Sequence, residues 1–219
     1  LSSQKSKKAM ALSDKQKEIL LIAEELFSQK GIDGTSIREI SKAAGINVAM
    51  VNYYFGSKSA MVSALFEIRL TRTREKLVTL TDDTNLNPMD KLLAFVEHMM
   101  AVQLQNADFH IILMNQLSKK ENAPEITEGI TLLQREILQN INGFIEEGYS
   151  SGLFQAKPDP ITFVIFALGI ISYLIHHERT LTNYWNINNR EEYSEHIKLH
   201  VYPYLIQSFK SILIYNEQK

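Results

Sequence analysis

Cysteine is absent from the 219-residue chain, which excludes disulfides, thiolate zinc sites and cysteine nucleophiles at once. Glycine and proline are scarce, at 9 and 5 residues, or roughly 6% together against a usual ~12%. So few breakers disfavour a turn-dense β-sandwich or barrel and favour long helices. Long apolar runs are missing as well. The longest, residues 161–175, contains Thr162, Gly169 and Ser172 and is shorter than the ~20 residues a bilayer span needs, so a buried helix and no membrane partner are expected. Residues 1–8 carry basic side chains but no following apolar core of signal-peptide length, and a cytoplasmic location is expected. Material for a core is present in ordinary measure, with 45% apolar and 22% charged residues.

Charge of one sign is not in excess over the whole chain, where 23 Lys and Arg face 25 Asp and Glu. Its distribution is uneven. Residues 1–76 hold 13 basic and 8 acidic side chains, a balance of +5, and the remainder holds 10 and 17, a balance of −7. Such asymmetry suits a first segment that meets a polyanion, although a merely solvated face has the same composition.

Helix starts and stops are legible along the chain. Ser13 and Gln16 form a capping box, Ile19, Ile22, Ala23, Leu26 and Phe27 keep a one-faced apolar rhythm, and Gly31 is a natural left-handed stop. Ser36 and Glu39 form a second box, opening a short helix that Gly45 ends. Asn47 caps a third helix to about Phe55, and Ser57 caps a long fourth one through Leu77. Asn87-Pro88 starts a fifth helix, residues 109–117 suit a sixth, and Pro124 opens a seventh that stops near Gly152. Pro158 and Pro160 introduce an eighth, and a ninth runs from about residue 191 to 214. The expectation is an all-α fold of about nine helices.

The informative segment is 35–58. Two short helices around a glycine turn are what a helix-turn-helix needs, with Gly45 free of Cβ strain in the turn and the small Ser41 four residues before it. Val51 and Tyr54 are placed to close the packing against Ile40. The second helix then offers its N-terminal residues to a DNA major groove, which is wide enough to admit it. An ordinary pair of packed helices has the same spacing.

The run Gly45-Ile46-Asn47-Val48-Ala49-Met50-Val51-Asn52-Tyr53-Tyr54-Phe55-Gly56-Ser57-Lys58, with its lead-in from Ala23 through Phe27, Gly31 and Gly34 to Thr35, resembles the recognition-helix signature of the tetracycline-repressor (TetR) family of bacterial regulators. The resemblance covers about residues 13–70. Beyond that, only helix number and order are similar. It implies base contacts from Arg38, Val48, Ala49 and Met50, and phosphate contacts from Thr35, Ser36, Tyr53, Tyr54 and Lys58. Val48, Ala49 and Met50 offer bases no hydrogen bonds, so direct readout rests on Asn47 and Arg38, with apolar contacts to thymine methyls. Asn52 departs from the aromatic residue of many relatives. Lys5, Lys7 and Lys8 form a basic arm for the backbone or a minor groove. The resulting division is a DNA-binding domain over residues 1–57 and a ligand-binding and dimerisation domain over 58–219.

In the second part, Met99, Met100, Phe109, His110, Met114 and Tyr149 combine adaptable sulfur, aromatic walls and polar tips, which suits a mostly apolar effector, as it also suits plain core packing. The helix over 161–175 is apolar all round and needs a second surface beyond its own core. Phe166, Gly169, Tyr173, Tyr202, Leu205 and Phe209 are the expected homodimer contacts, as the resemblance implies for the last two long helices. His196 and His200 stand i, i+4 with Glu192 one turn earlier, but no metal is expected there without further ligands. No P-loop, dinucleotide fingerprint or GxSxG elbow occurs, so no catalysis and no cofactor are expected. The expected function is a ligand-responsive repressor that binds a palindromic operator on double-stranded DNA as a dimer. An activator, a ligand-independent regulator and a helical protein-binding module are the alternatives.

Overall fold

A computed structural model describes residues 12–119 and 124–214 of the chain. All regular structure in them is helical: α1 (Asp14–Gly34), α2 (Ile37–Ala43), α3 (Val48–Phe55), α4 (Lys58–Asp82), α5 (Pro88–Gln105), α6 (Ala107–Leu117), α7 (Pro124–Ser150), α8 (Pro160–His176), α9 (Glu178–Trp185), α10 (Arg190–His196), a π-helical turn (Ile197–Val201) and α11 (Tyr202–Ile214). The all-α class is as expected. The expected count omits α9, which buries no side chain and so carries no sustained core-facing rhythm. The last helix keeps its course but passes through the π turn, where the Tyr202 N–H reaches the Ile197 carbonyl. Pro203 explains it: proline has no N–H to give and its ring clashes with the carbonyl four residues back. The basic arm with Lys5, Lys7 and Lys8 lies outside the described residues.

The chain divides within α4 into two compact units, one ending at Leu65 and one beginning at Phe66. The sequence boundary at 57/58 marks where α4 starts. Its first two turns nonetheless belong to the first unit, with Met61, Val62 and Leu65 buried there.

In the first unit, side-chain caps and one glycine turn fix every helix end that matters. Ser13 with Gln16 caps α1, and Ser36 with Glu39 caps α2, each as a reciprocal box. A cap of this kind contributes about 1 kcal/mol. Gly31 takes φ 76°, ψ 160°, a region almost reserved for glycine, and kinks α1 before its last residues. Gly45 takes φ 64°. There the Gly45 N–H reaches the Lys42 carbonyl (3.3 Å) and the Ile46 N–H reaches that of Ser41 (3.0 Å), the paired bonds of a Schellman stop. Ile19, Ala23, Phe27, Ile40 and Val51 fill the core between the helices. Gln16 Nε2 ties the head of α1 to the Tyr54 carbonyl (3.1 Å) at the end of α3.

In the second unit, α5, α7 and α8 pack on one another, with α6 against α5 and α8 and with α11 against α5. α7 runs unbroken despite three glycines. The Phe154 ring occupies the space beside Gly148, where a Cβ would lie 2.1 Å from it. The segment after α7 then caps α11, since the Gln155 and Ala156 N–H groups both donate to the Leu213 carbonyl. No single helix among the described residues is long and apolar enough to cross a membrane.

Candidate nucleic-acid interface and effector domain

The α3 surface is open. Val48, Ala49, Met50, Asn52 and Tyr53 are exposed, Tyr53 at 79%, while Val51 between them is fully buried. One apolar residue thus anchors the helix and its neighbours on the first turns face outward. Asn47 is exposed too; its Oδ1 accepts the Met50 N–H at 2.8 Å, which leaves both NH2 hydrogens and one oxygen lone pair for a base edge. Arg38 is exposed on α2. Tyr54 is half-buried and meets the Tyr53 ring edge-on at 5.4 Å.

The expected phosphate contacts are placed less uniformly. Thr35 is buried, and its one hydroxyl hydrogen is shared between the carbonyls of Gly31 (2.9 Å) and Leu26 (3.2 Å). Its side chain therefore secures the kinked end of α1 and does not face a phosphate, because a hydroxyl so committed leaves no donor outside. Ser36 is exposed, with its N–H and hydroxyl both donated to Glu39 Oε2 (2.8 and 2.9 Å). Glu39 also pairs with Lys30 at 2.7 Å. The Lys30 bond, with those from Ser36, brings the Glu39 carboxyl down to about 2. Lys58 Nζ donates to the carbonyls of Ile32 (2.9 Å) and Thr35 (3.0 Å), which leaves one of its three hydrogens for DNA. No sequence rule points to this inward use of Lys58; the carbonyls left over at the C-terminal end of α1 are the available signal.

In the second unit, Met99, Met100, Phe109 and His110 are buried, and Met114 is half-buried. Tyr149 is 48% exposed, because the α7 register that buries Phe144, Ile145 and Gly148 turns residue 149 outward, so it is not a pocket wall. A small apolar cavity between α5, α7 and α8 encloses about 10 Å³ and includes Met99 among its lining, with Phe95, Ile137 and Phe163. That is about the room of one water. His110 is the unusual member of the set. Neither of its ring nitrogens has a hydrogen-bond partner among the described residues, and the His176 ring lies 5.6 Å away, edge-on. Burial, then His176, pulls the His110 imidazole down to about 4.

Of the expected dimer contacts, Leu205 and Phe209 are buried within the protomer, Phe209 against Phe163 (4.3 Å) and Phe166 (5.2 Å). They are core residues because α11 turns that face inward. Tyr202 is half-buried, and burial and Glu97 raise its phenol to about 12. Phe166, Gly169 and Tyr173 do face outward on α8, and nothing lies within 4 Å of where a Gly169 Cβ would stand. Ile161, Ile165 and Tyr204 are further exposed apolar residues that the sequence pattern does not single out. His196 packs between Trp185 (4.3 Å) and His200 (4.6 Å).

A capped helix-turn-helix followed by an all-helical second unit defines the class of helical DNA-binding regulators. Residues 19–65 match the description "Bacterial regulatory proteins, tetR family", and residues 85–176 match "Tetracyclin repressor-like, C-terminal domain". The chain belongs to the TetR family of transcriptional regulators. It is 48% identical over 56 residues to the probable HTH-type transcriptional regulator YttP of Bacillus subtilis, covering 26% of this chain and 27% of that protein. The match to the first curated relatives thus spans about a quarter to a third of their length. With the HTH-type transcriptional repressor KstR2 of Mycobacterium tuberculosis, identity is 27% over 136 residues, 60% of this chain and 67% of that one. Among solved structures, the TetR family transcriptional regulator PfmR from Thermus thermophilus has a TM-score of 0.69 at 17% identity, over 95% of this chain and 100% of that one. FadR from Bacillus subtilis, solved with stearoyl-CoA, has a TM-score of 0.61 at 16% identity, over 90% and 98%. At these identities the structures establish the fold alone.

Proposed function

We propose that the chain is a ligand-responsive repressor that binds a palindromic DNA site as a homodimer and is released by a largely apolar small molecule. α4 carries this reading. Its first residue, Lys58, is bound into the helix-turn-helix, and the same helix continues to Asp82. Within the second unit its later turns are tied to α6 by Arg69–Asn106 and by the Phe66–Phe109 ring contact at 5.0 Å. Further along they are tied to α7 by Arg74–Glu136 (2.6 Å) and Thr81–Asn140 (2.5 Å). A molecule that displaces α6 therefore pulls on the helix that begins beside the recognition element, which is a two-state device of the hinge or shear kind.

Base contacts are assigned to Arg38, Asn47, Val48, Ala49 and Met50, and backbone contacts to Ser36, Asn52, Tyr53, Tyr54 and Lys58. The outer face of α8, with Ile161, Ile165, Phe166, Gly169 and Tyr173, is the favoured dimer surface, since apolar side chains at these spacings need a partner. KstR2 is named a repressor and FadR was solved with stearoyl-CoA, which supports repression and an acyl-bearing or similarly apolar effector.

Selection of bound duplexes from a random pool tests the DNA reading, and a palindromic consensus is expected. Titrating a confirmed ligand against free protein and against the operator complex tests control. Coupling of ~1–3 kcal/mol is expected, and reciprocity requires the ligand to bind the complex more weakly by the same factor. Identical ligand affinity in both titrations would remove the induction reading.

A further inference from the structure

His110 is a polar side chain where the packing offers it nothing polar. It is 3% exposed, both ring nitrogens lack a partner among the described residues, it follows buried Phe109 on α6, and the His176 ring of α8 lies 5.6 Å away. A buried imidazole that serves only packing normally finds at least one partner, because an unmade hydrogen bond is costly. His110 has none on either side of the ring. It is also adjacent in sequence to Phe109, whose ring meets Phe66 of α4, so its place on α6 is one step from the helix that leads to the DNA-binding unit.

We propose that His110 is the polar contact of the effector site, and that the effector is an apolar molecule whose polar end is uncharged, such as a hydroxyl, ester or amide. This rests on the reading of the second unit as an effector domain. A neutral imidazole offers one N–H donor and one acceptor nitrogen, which together match a hydroxyl or an amide and singly match an ester carbonyl. An ionised carboxylate is a poor fit. It accepts only, it faces an acceptor nitrogen as well as a donor, and burial together with His176 opposes charging His110 to meet it. The buried Phe109 beside His110 in sequence, whose ring meets Phe66, offers an apolar surface for the body of the molecule.

The test uses the full-length protein and matched probes at two sizes: benzyl alcohol, methyl benzoate and benzoate; and 1-tetradecanol, methyl tetradecanoate and tetradecanoate below their aggregation limits. Direct binding is measured by calorimetry and by the shift of the melting temperature, with operator release measured separately. At least one alcohol or ester is expected to bind tenfold or more tightly than its carboxylate. His110→Leu is expected to erase that preference while melting no lower than wild type, since it removes two unpartnered nitrogens. His110→Gln, which keeps a donor and an acceptor, is expected to retain part of the preference. Preference for the carboxylates, a preference that survives in His110→Leu, or no binding of any probe at millimolar concentration would overturn the proposal. Probes that bind through His110 without releasing operator would leave this site standing and remove the induction reading. Release by carboxylates regardless of residue 110 would do the reverse.

Discussion

The two units differ in how completely their buried polar side chains are partnered. Up to Leu65 polar side chains are spent on geometry: Ser13, Gln16, Thr35, Ser36, Glu39, Asn47, Ser57 and Lys58 each bond to a backbone group at a helix end or turn. From Phe66 on, Asn87, Asp159 and Asn189 cap helix ends in the same way, but buried polar atoms of His98, Gln103 and His110 have no partner among the described residues. A recognition surface must be held in one shape before DNA arrives, and full satisfaction of local hydrogen bonds gives that rigidity. A domain that receives a ligand keeps polar capacity in reserve, at a cost in its own stability.

The largest expected effect separates core from surface in the second unit. Phe209→Ala should cost about 3–5 kcal/mol of stability, as for other buried aromatic truncations. Ile165→Asp, at a position 64% exposed, should leave the protomer's melting temperature nearly unchanged. It should instead shift sedimentation toward the monomer and lower operator affinity by about 100-fold or more through lost bivalency. An Ile165→Asp protein that remained dimeric would move the interface away from the outer face of α8.

Next in size is the head of α4. Lys58→Ala should lower operator affinity and reduce the slope of log affinity against log salt by about one, if its third hydrogen meets a phosphate. It should also lower the melting temperature of the first unit, because the Ile32 and Thr35 carbonyls lose their donor. Loss of stability with an unchanged slope would leave Lys58 as a strut only. Gly45→Ala meets no atom within 4 Å, so its expected cost is conformational alone, about 1–2 kcal/mol for an L-residue held at positive φ. It should appear as a lower urea midpoint.

What the sequence makes legible depends on how far apart along the chain the partners lie. Capping boxes, Asn47 and the Gly45 turn are local features: their partners lie within five residues, so spacing alone reveals them. Lys58 reads from sequence as a phosphate contact only, because its bonds reach back 23 and 26 residues, a distance no local pattern encodes. Leu205 and Phe209 read as dimer surface because α11 is apolar on more than one face, and only packing decides which face the protomer keeps. Tyr149 reads as a pocket wall for the related reason that one residue's rotation on α7 exchanges wall for surface. α9 leaves no trace because a helix that buries nothing has no core pattern to show.

Acid should unfold the two units in sequence. All six histidines, at positions 98, 110, 176, 177, 196 and 200, lie in the second unit and none in the first. Burial lowers His98, His110 and His196 from 6.5, with Lys76, His176 and His200 respectively adding to it, and His110 reaches about 4. For such groups the neutral form belongs to the folded state. Their contribution is complete above 6.5 and is lost as pH falls from there toward the folded value, since the unfolded chain then binds protons that the folded one refuses. In the first unit Glu39 is lowered from 4.5 to about 2 by Lys30 and Ser36. Its contribution is complete above 4.5 and disappears only as pH falls from there through about 2. Between pH 6.5 and 5 the second unit should therefore weaken while the first does not. Trp185 is the sole tryptophan and sits in the second unit, so its fluorescence follows that unit alone, and residue-resolved hydrogen exchange follows both. His110→Leu should flatten the decline of the second unit over this window and leave the first untouched. A first unit that loses protection at the same pH as Trp185 would show that the two do not unfold independently, and the contrast between them would then be one of sequence alone.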